Sequence, residues 1–146
     1  MATKKAVVHP IDPFQFDGPS FQDFVFHLKS SSSAPNHTLT ITSQTSVNTN
    51  FAFIQGTWQG DGPNAKEITG SITDGTVSLT ASWANGMGGT NTLMGRLTPV
   101  SRLPAFPSRW ELSGNVVVTN AQGSIVSGGP GMVSGEGSPP APLPLP

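Results

Sequence analysis

From Lys66 to Trp83 the chain reads KEITGSITDGTVSLTASW, and polarity alternates on both sides of Asp74-Gly75. Alternation at period two puts Ile68, Ile72, Val77, Leu79, Ala81 and Trp83 on one face. The Thr, Ser and Glu residues between them fall on the other. Asp-Gly between two such runs is a strong signal for a tight hairpin, because its left-handed backbone suits Gly and is tolerated by Asp. The expected pairing sets Ile72 against Val77, Gly70 against Leu79 and Ile68 against Ala81. A slip of one residue would set apolar against polar along the whole ladder. A chain built around this stretch therefore forms an antiparallel sheet with one wet face and one buried face.

The rest of the sequence extends the pattern. Leu39, Ile41 and Val47 share one face of residues 38–47. In residues 51–60, Ala52, Ile54, Gly56 and Trp58 oppose Phe51 and Phe53. Leu93, Gly95 and Leu97 alternate with Met94 and Arg96, and Trp110, Leu112, Gly114, Val116 and Val118 mark a further strand. Residues 20–29 fit a helix through Phe21, Phe24, Val25 and Leu28, or a strand through Phe24, Phe26 and Leu28; their aromatic content favours the strand. The expected fold is all-β, an antiparallel meander of seven or eight strands. Closure into a small barrel is favoured over a sandwich by the inward glycines Gly56, Gly70, Gly95 and Gly114, which let strands coil sharply. Residues 1–19 read as an extended arm in which Phe14 and Phe16 can lie against the barrel, and 20–126 as the barrel domain. Residues 127–146, rich in Gly, Ser and Pro, read as a disordered tail.

Composition narrows the function. Charged residues make up only 10% of the 146, and net charge is −1, so the basic footprint of a nucleic-acid groove is missing. Neither a spanning apolar run nor a basic amphipathic helix is present, so no membrane role is expected. The chain has no cysteine, which removes thiolate chemistry and Cys-based metal sites. No secretory signal is visible at the start, so a cytoplasmic location is expected.

Gly56-Thr57-Trp58, followed by strands carrying Thr69-Gly70 and Ser113-Gly114, resembles the small calycin-type barrels, the avidin-like group above all. That resemblance implies a Trp58 packed across one barrel end, and a ligand mouth bordered by later-strand tryptophans such as Trp83 and Trp110. The longer string Gly56-x-Trp58-x-Gly60-x-Gly62 is similar to the opening of nitrobindin-type haem barrels. Those bind haem iron through a histidine near the chain end, whereas His9, His27 and His37 all precede the motif. A chain without Tyr also lacks avidin's ligand set. Neither biotin nor haem carries over, and no cofactor or metal is expected.

Candidate chemistry is sparse. Glu67 and Glu111 point outward from their strands, away from any buried acid pair. No nucleophile elbow or metal-binding spacing occurs, so an enzyme is the least favoured class and no catalytic residue is assigned. The glycine-rich loop 85–91 has neither the helix nor the lysine of a phosphate cradle. Trp58, Gly70, Asp74, Gly75 and Trp83 are assigned structural roles. Trp83 and Trp110 should mark opposite barrel ends. The long connection 99–108 at the Trp110 end makes Trp110, Arg102, Leu103 and Phe106 the candidate ligand contacts, although a plug of that end is the favoured reading for Leu103 and Phe106. The leading expectation is a non-enzymatic barrel taking a small molecule or glycan at one end. The alternative is a structural or protein-interaction module with a proline-rich tail.

Overall fold

The computed structural model describes residues 15–30, 36–60, 65–74, 77–85, 87–100 and 109–139, with backbone alone at 127–130. Eight strands form a closed antiparallel barrel in which each pairs with its sequence neighbours: β1 Val25–Ser30, β2 His37–Asn48, β3 Phe51–Gln59, β4 Lys66–Thr73, β5 Ser78–Ala84, β6 Thr90–Pro99, β7 Trp110–Thr119 and β8 Ile125–Ser138. Pairing of β8 with β1 completes the ring, so the sheet has no free edge.

Alternation decides what faces inward. Leu39, Ile41, Ile54, Ile68, Ile72, Leu79, Ala81, Leu93 and Leu112 are buried and fill the interior. Glu67, Thr69, Met94, Arg96, Glu111 and Ser113 between them are exposed. An apolar interior inside a polar wall is the inverse of a bilayer-spanning barrel. Among the described residues no helix is long and apolar enough to cross a membrane.

The central hairpin keeps its faces but not its expected register. Ile72 pairs with Leu79, Gly70 with Ala81, and Thr73 with Ser78. The connection is two residues longer than a tight Asp-Gly turn, because neighbouring elements engage its members. The Asp74 amide donates to the Asn50 carbonyl at 2.9 Å, and the Leu97 amide to the Val77 carbonyl at 2.9 Å. Gly75 lies outside the described residues. In β2 the alternation breaks at two irregularities, between Ile41 and Ser43 and between Ser46 and Asn48. Val47 is consequently only half-buried.

Residues 20–29 contain both a turn and a strand. The Phe24 amide donates to the Phe21 carbonyl at 3.0 Å, with Asp23 in the left-handed region at φ 70°, where Asp is better tolerated than most residues. From Val25 the chain is extended, with Phe26 and Leu28 buried. The turn folds Phe21 back over the barrel end, so the helix-like set Phe21, Phe24 and Leu28 is buried without a helix. Of the expected arm, Phe16 is buried, and its amide donates to Ser46 Oγ at 2.9 Å. Phe14 lies outside the described residues.

The larger correction concerns the expected tail. Residues 127–138 belong to β8, which fits between β7 and β1. Its glycines accommodate neighbours. A Cβ on Gly137 would overlap the Phe26 ring, and one on Gly135 would run into the His27 carbonyl. Among the side chains of β8 that the structure describes, Val133 is fully buried. Residues 140–146 lie outside the described set.

Candidate functional site

The antiparallel order assigns every loop to one of two ends. The β2–β3, β4–β5 and β6–β7 connections share one end with residues 15–24; the β3–β4, β5–β6 and β7–β8 connections share the other.

Aromatic rings fill the first end. Phe21 is fully buried, with its ring centroid 5.0 Å from Trp110 and 5.2 Å from Phe24, both edge-on. Phe24 lies against Phe26 at 5.8 Å. Gln44 clamps this plug from both sides: its Oε1 accepts the Phe21 amide at 2.8 Å, and its Nε2 donates to the Pro19 carbonyl at 3.0 Å. Trp110, the expected ligand contact, is therefore covered by a phenylalanine of the chain itself. Arg102, Leu103 and Phe106 lie outside the described residues.

The second end holds a stack. Trp58 stacks on Trp83 at 4.4 Å and 19°, and His37 stacks on Trp58 at 5.2 Å and 28°. All three are buried. Trp83 and Trp110 thus sit at opposite ends. Nearby, Asn85 organises the β5–β6 turn. Its Oδ1 accepts the amides of Met87 at 2.9 Å and Gly89 at 3.0 Å, and its Nδ2 donates to Asn91 Oδ1 and the Thr119 carbonyl. Amides that an anion would need are turned onto Asn85.

Three concavities formed by described residues lie on the outer wall. One, of about 400 Å3, is lined by Ser43, Thr45, Phe53, Gln55 and Thr69, with backbone of Ile54 and Gly70 in its floor. A second, of about 240 Å3, adjoins it and shares Gln55 and Thr69, continuing past Thr57 to Glu67. A third, between β5, β6 and β7, is lined by Thr80, Met94, Arg96 and Ser113 around Gly95. Each includes an inward-turned glycine, Gly70, Gly56 or Gly95, where the missing side chain lets the neighbouring strand approach closely.

The first two concavities form one trough along β3. Phe53 stands between Thr45 and Ser71, and Gln55 between Ser43 and Thr69. Phe53 is 56% exposed, with Phe51 meeting its ring edge-on at 5.3 Å and 82°. Thr42 Oγ1 donates to the Gln55 carbonyl at 3.1 Å, which ties the irregular part of β2 to the trough's middle. Alternation set Phe53 on the strand face opposite Ala52, Ile54, Gly56 and Trp58. The glycine-floored groove beside it depends on three strands in register, which no single segment reveals.

Elsewhere the outward acids include one cross-strand pair. Glu136 lies opposite both His27 and Glu111, and Arg109 Nε reaches Glu136 Oε1 at 3.5 Å in an exposed pair. Among the described residues no group of three or more His, Cys, Asp or Glu is placed to hold a metal ion.

No protein-family model matches this chain, and no curated protein matches it. Its architecture, eight antiparallel strands closed in sequence order, is consistent with a calycin-like barrel in general.

Proposed function

We propose that the chain is a non-enzymatic binding module, a filled barrel that takes a small molecule or glycan on its outer wall. The observation that carries this reading is the trough over β2, β3 and β4, where a half-exposed phenylalanine is ringed by hydroxyl and amide side chains. Ligand sites combine an apolar contact with a few convergent polar groups, and the trough offers both on a hydrogen-bonded sheet. The avidin-like resemblance supports the scaffold rather than the ligand position. In such barrels a ligand enters a tryptophan-bordered mouth, whereas here Trp110 packs under Phe21 and Trp83 against Trp58.

Amide chemical shifts of the 15N-labelled full chain, recorded against a panel of small neutral molecules, test the reading. Perturbations should cluster at residues 43–45, 53–57 and 67–70, with the three indole N–H signals unmoved. Shifts confined to the indoles would return the ligand to a barrel end.

A second reading, a protein-interaction module, draws on the opposite wall. Met94 and Met132 each lie opposite Asn115 and are 56% and 63% exposed. Flexible, polarizable methionines suit adaptable protein contacts. Self-association or partner binding lost in Met94→Ser with Met132→Ser would favour it.

A further inference from the structure

Resting on the outer-wall reading, we infer that the trough's ligand is a neutral oligosaccharide, with one ring on Phe53 and the next above Gln55 and Thr57.

The lining argues for this class. A pyranose presents an apolar C–H face and a rim of hydroxyls, each both donor and acceptor. Phe53 offers a half-exposed ring fixed from the side by Phe51. Around it Ser43, Thr45 and Thr69 supply hydroxyls and Gln55 an amide, groups that also donate and accept. No charged side chain lines this part of the trough, so it has nothing to neutralise an ionic ligand.

The length argues for more than one ring. Gln55 and Thr69 line both concavities. Successive outward residues on a strand stand about 7 Å apart, far enough for a second ring beyond the one on Phe53. At that far end the trough gains Glu67. A carboxylate accepts two hydrogen bonds from adjacent hydroxyls and makes them strong. The same charge disfavours sialylated or uronic sugars, and the trough holds no cation to offset it.

Other occupants fit less well. An extended peptide binds a sheet by pairing with an open edge; β3 and β4 are paired on both sides along the trough, and the part of β2 beyond its pairing with β1 is covered by residues 16–24. A nucleotide or phosphate would need a cation, and Arg96 belongs to the groove on the other wall. The trough itself is built on ladder backbone, so little is lost in ordering it around a ligand.

The experiment is binding of the full chain to an array of immobilised neutral glucans, mannans, galactans and N-acetylglucosamine oligomers with their sialylated and uronic counterparts. Nile red titration runs in parallel as a neutral apolar probe. Binding to a neutral class, weakened tenfold or more by Phe53→Ala and independently by Gln55→Ala, is the expected result. Glu67→Gln should weaken it severalfold and reduce discrimination against acidic sugars. Saccharide binding that survives both Phe53→Ala and Gln55→Ala would overturn the site and the outer-wall reading together. Nile red bound by the parent but not by Phe53→Ala, with no saccharide retained, would sink the inference while leaving the outer-wall reading in place. Preference for acidic glycans, or a dimer that Phe53→Ala dissociates, would also overturn it.

Discussion

Replacing Phe21 by Ala should be among the most costly single changes in this molecule. The side chain is fully buried between Phe24, Phe26 and Trp110. A phenylalanine buries roughly 150–250 Å2; at about 25 cal/mol per Å2, that is about 4–6 kcal/mol. This is an upper figure, because the unfolded chain already hides part of that area. Edge-on contacts with Phe24 and Trp110 add to the loss, and relaxation of the residues across the barrel end takes some back. The expected cost is about 3–5 kcal/mol, the usual range for a buried Phe→Ala. For a chain of this length it lowers Tm by roughly 10–20 °C. Urea unfolding followed by tryptophan fluorescence measures it, with the m-value showing whether the transition stays two-state. Phe21→Leu, which keeps most of the volume, should lose less than about 1.5 kcal/mol and guards against a variant that does not fold. A loss below about 1 kcal/mol for Phe21→Ala would mean that residues 15–24 are a loose flap, and the barrel end beneath them would again be open to a ligand.

Gly70→Val should cost at least roughly 1–3 kcal/mol in thermal melts, because its Cβ would run into the Thr80 carbonyl of the neighbouring strand; a more stable variant would contradict the close approach of β4 to β5. Trp58→Phe and Trp83→Phe should each abolish the coupled near-UV circular dichroism of two indoles stacked 4.4 Å apart, while leaving the Trp110 contribution. Deleting residues 125–146 should prevent folding, since β1 and β7 lose their shared neighbour. A chain shortened at 124 that still melts cooperatively would refute closure through β8.

Strand faces were legible in the sequence because period-two alternation records which side chains meet the core. The register of the central hairpin was not. A slip by two residues returns every side chain to its own face, so the pairing of Ile72 with Val77 and that with Leu79 satisfy the pattern equally. The choice is made by Asn50 and Leu97, residues outside the hairpin that hold Asp74 and Val77. β8 was hidden for a related reason. Glycine normally marks flexible chain, yet Gly135 and Gly137 are shaped by the β1 backbone and the Phe26 ring against them, more than a hundred residues away in sequence. The trough was half legible: alternation separates Phe53 from the face of Ile54 and Gly56, but its companions Ser43 and Thr69 come from two other strands, and the irregularity after Ile41 sets Ser43 opposite Gln55.

Closure through β8 also bears on how the chain can be made. Every pairing from β1–β2 to β7–β8 joins sequence neighbours and can form hairpin by hairpin as the chain lengthens. The last joins Val25 to Ser138, near the two ends of the described chain, and contacts of such long separation slow folding. During synthesis, β1 must therefore wait with one side unpaired until β8 has left the ribosome. Over that interval its backbone is the exposed edge most able to pair with another nascent chain. The exposed Lys29 on β1 is the kind of residue that discourages such pairing, since a lysine on an edge strand opposes stacking against a second copy.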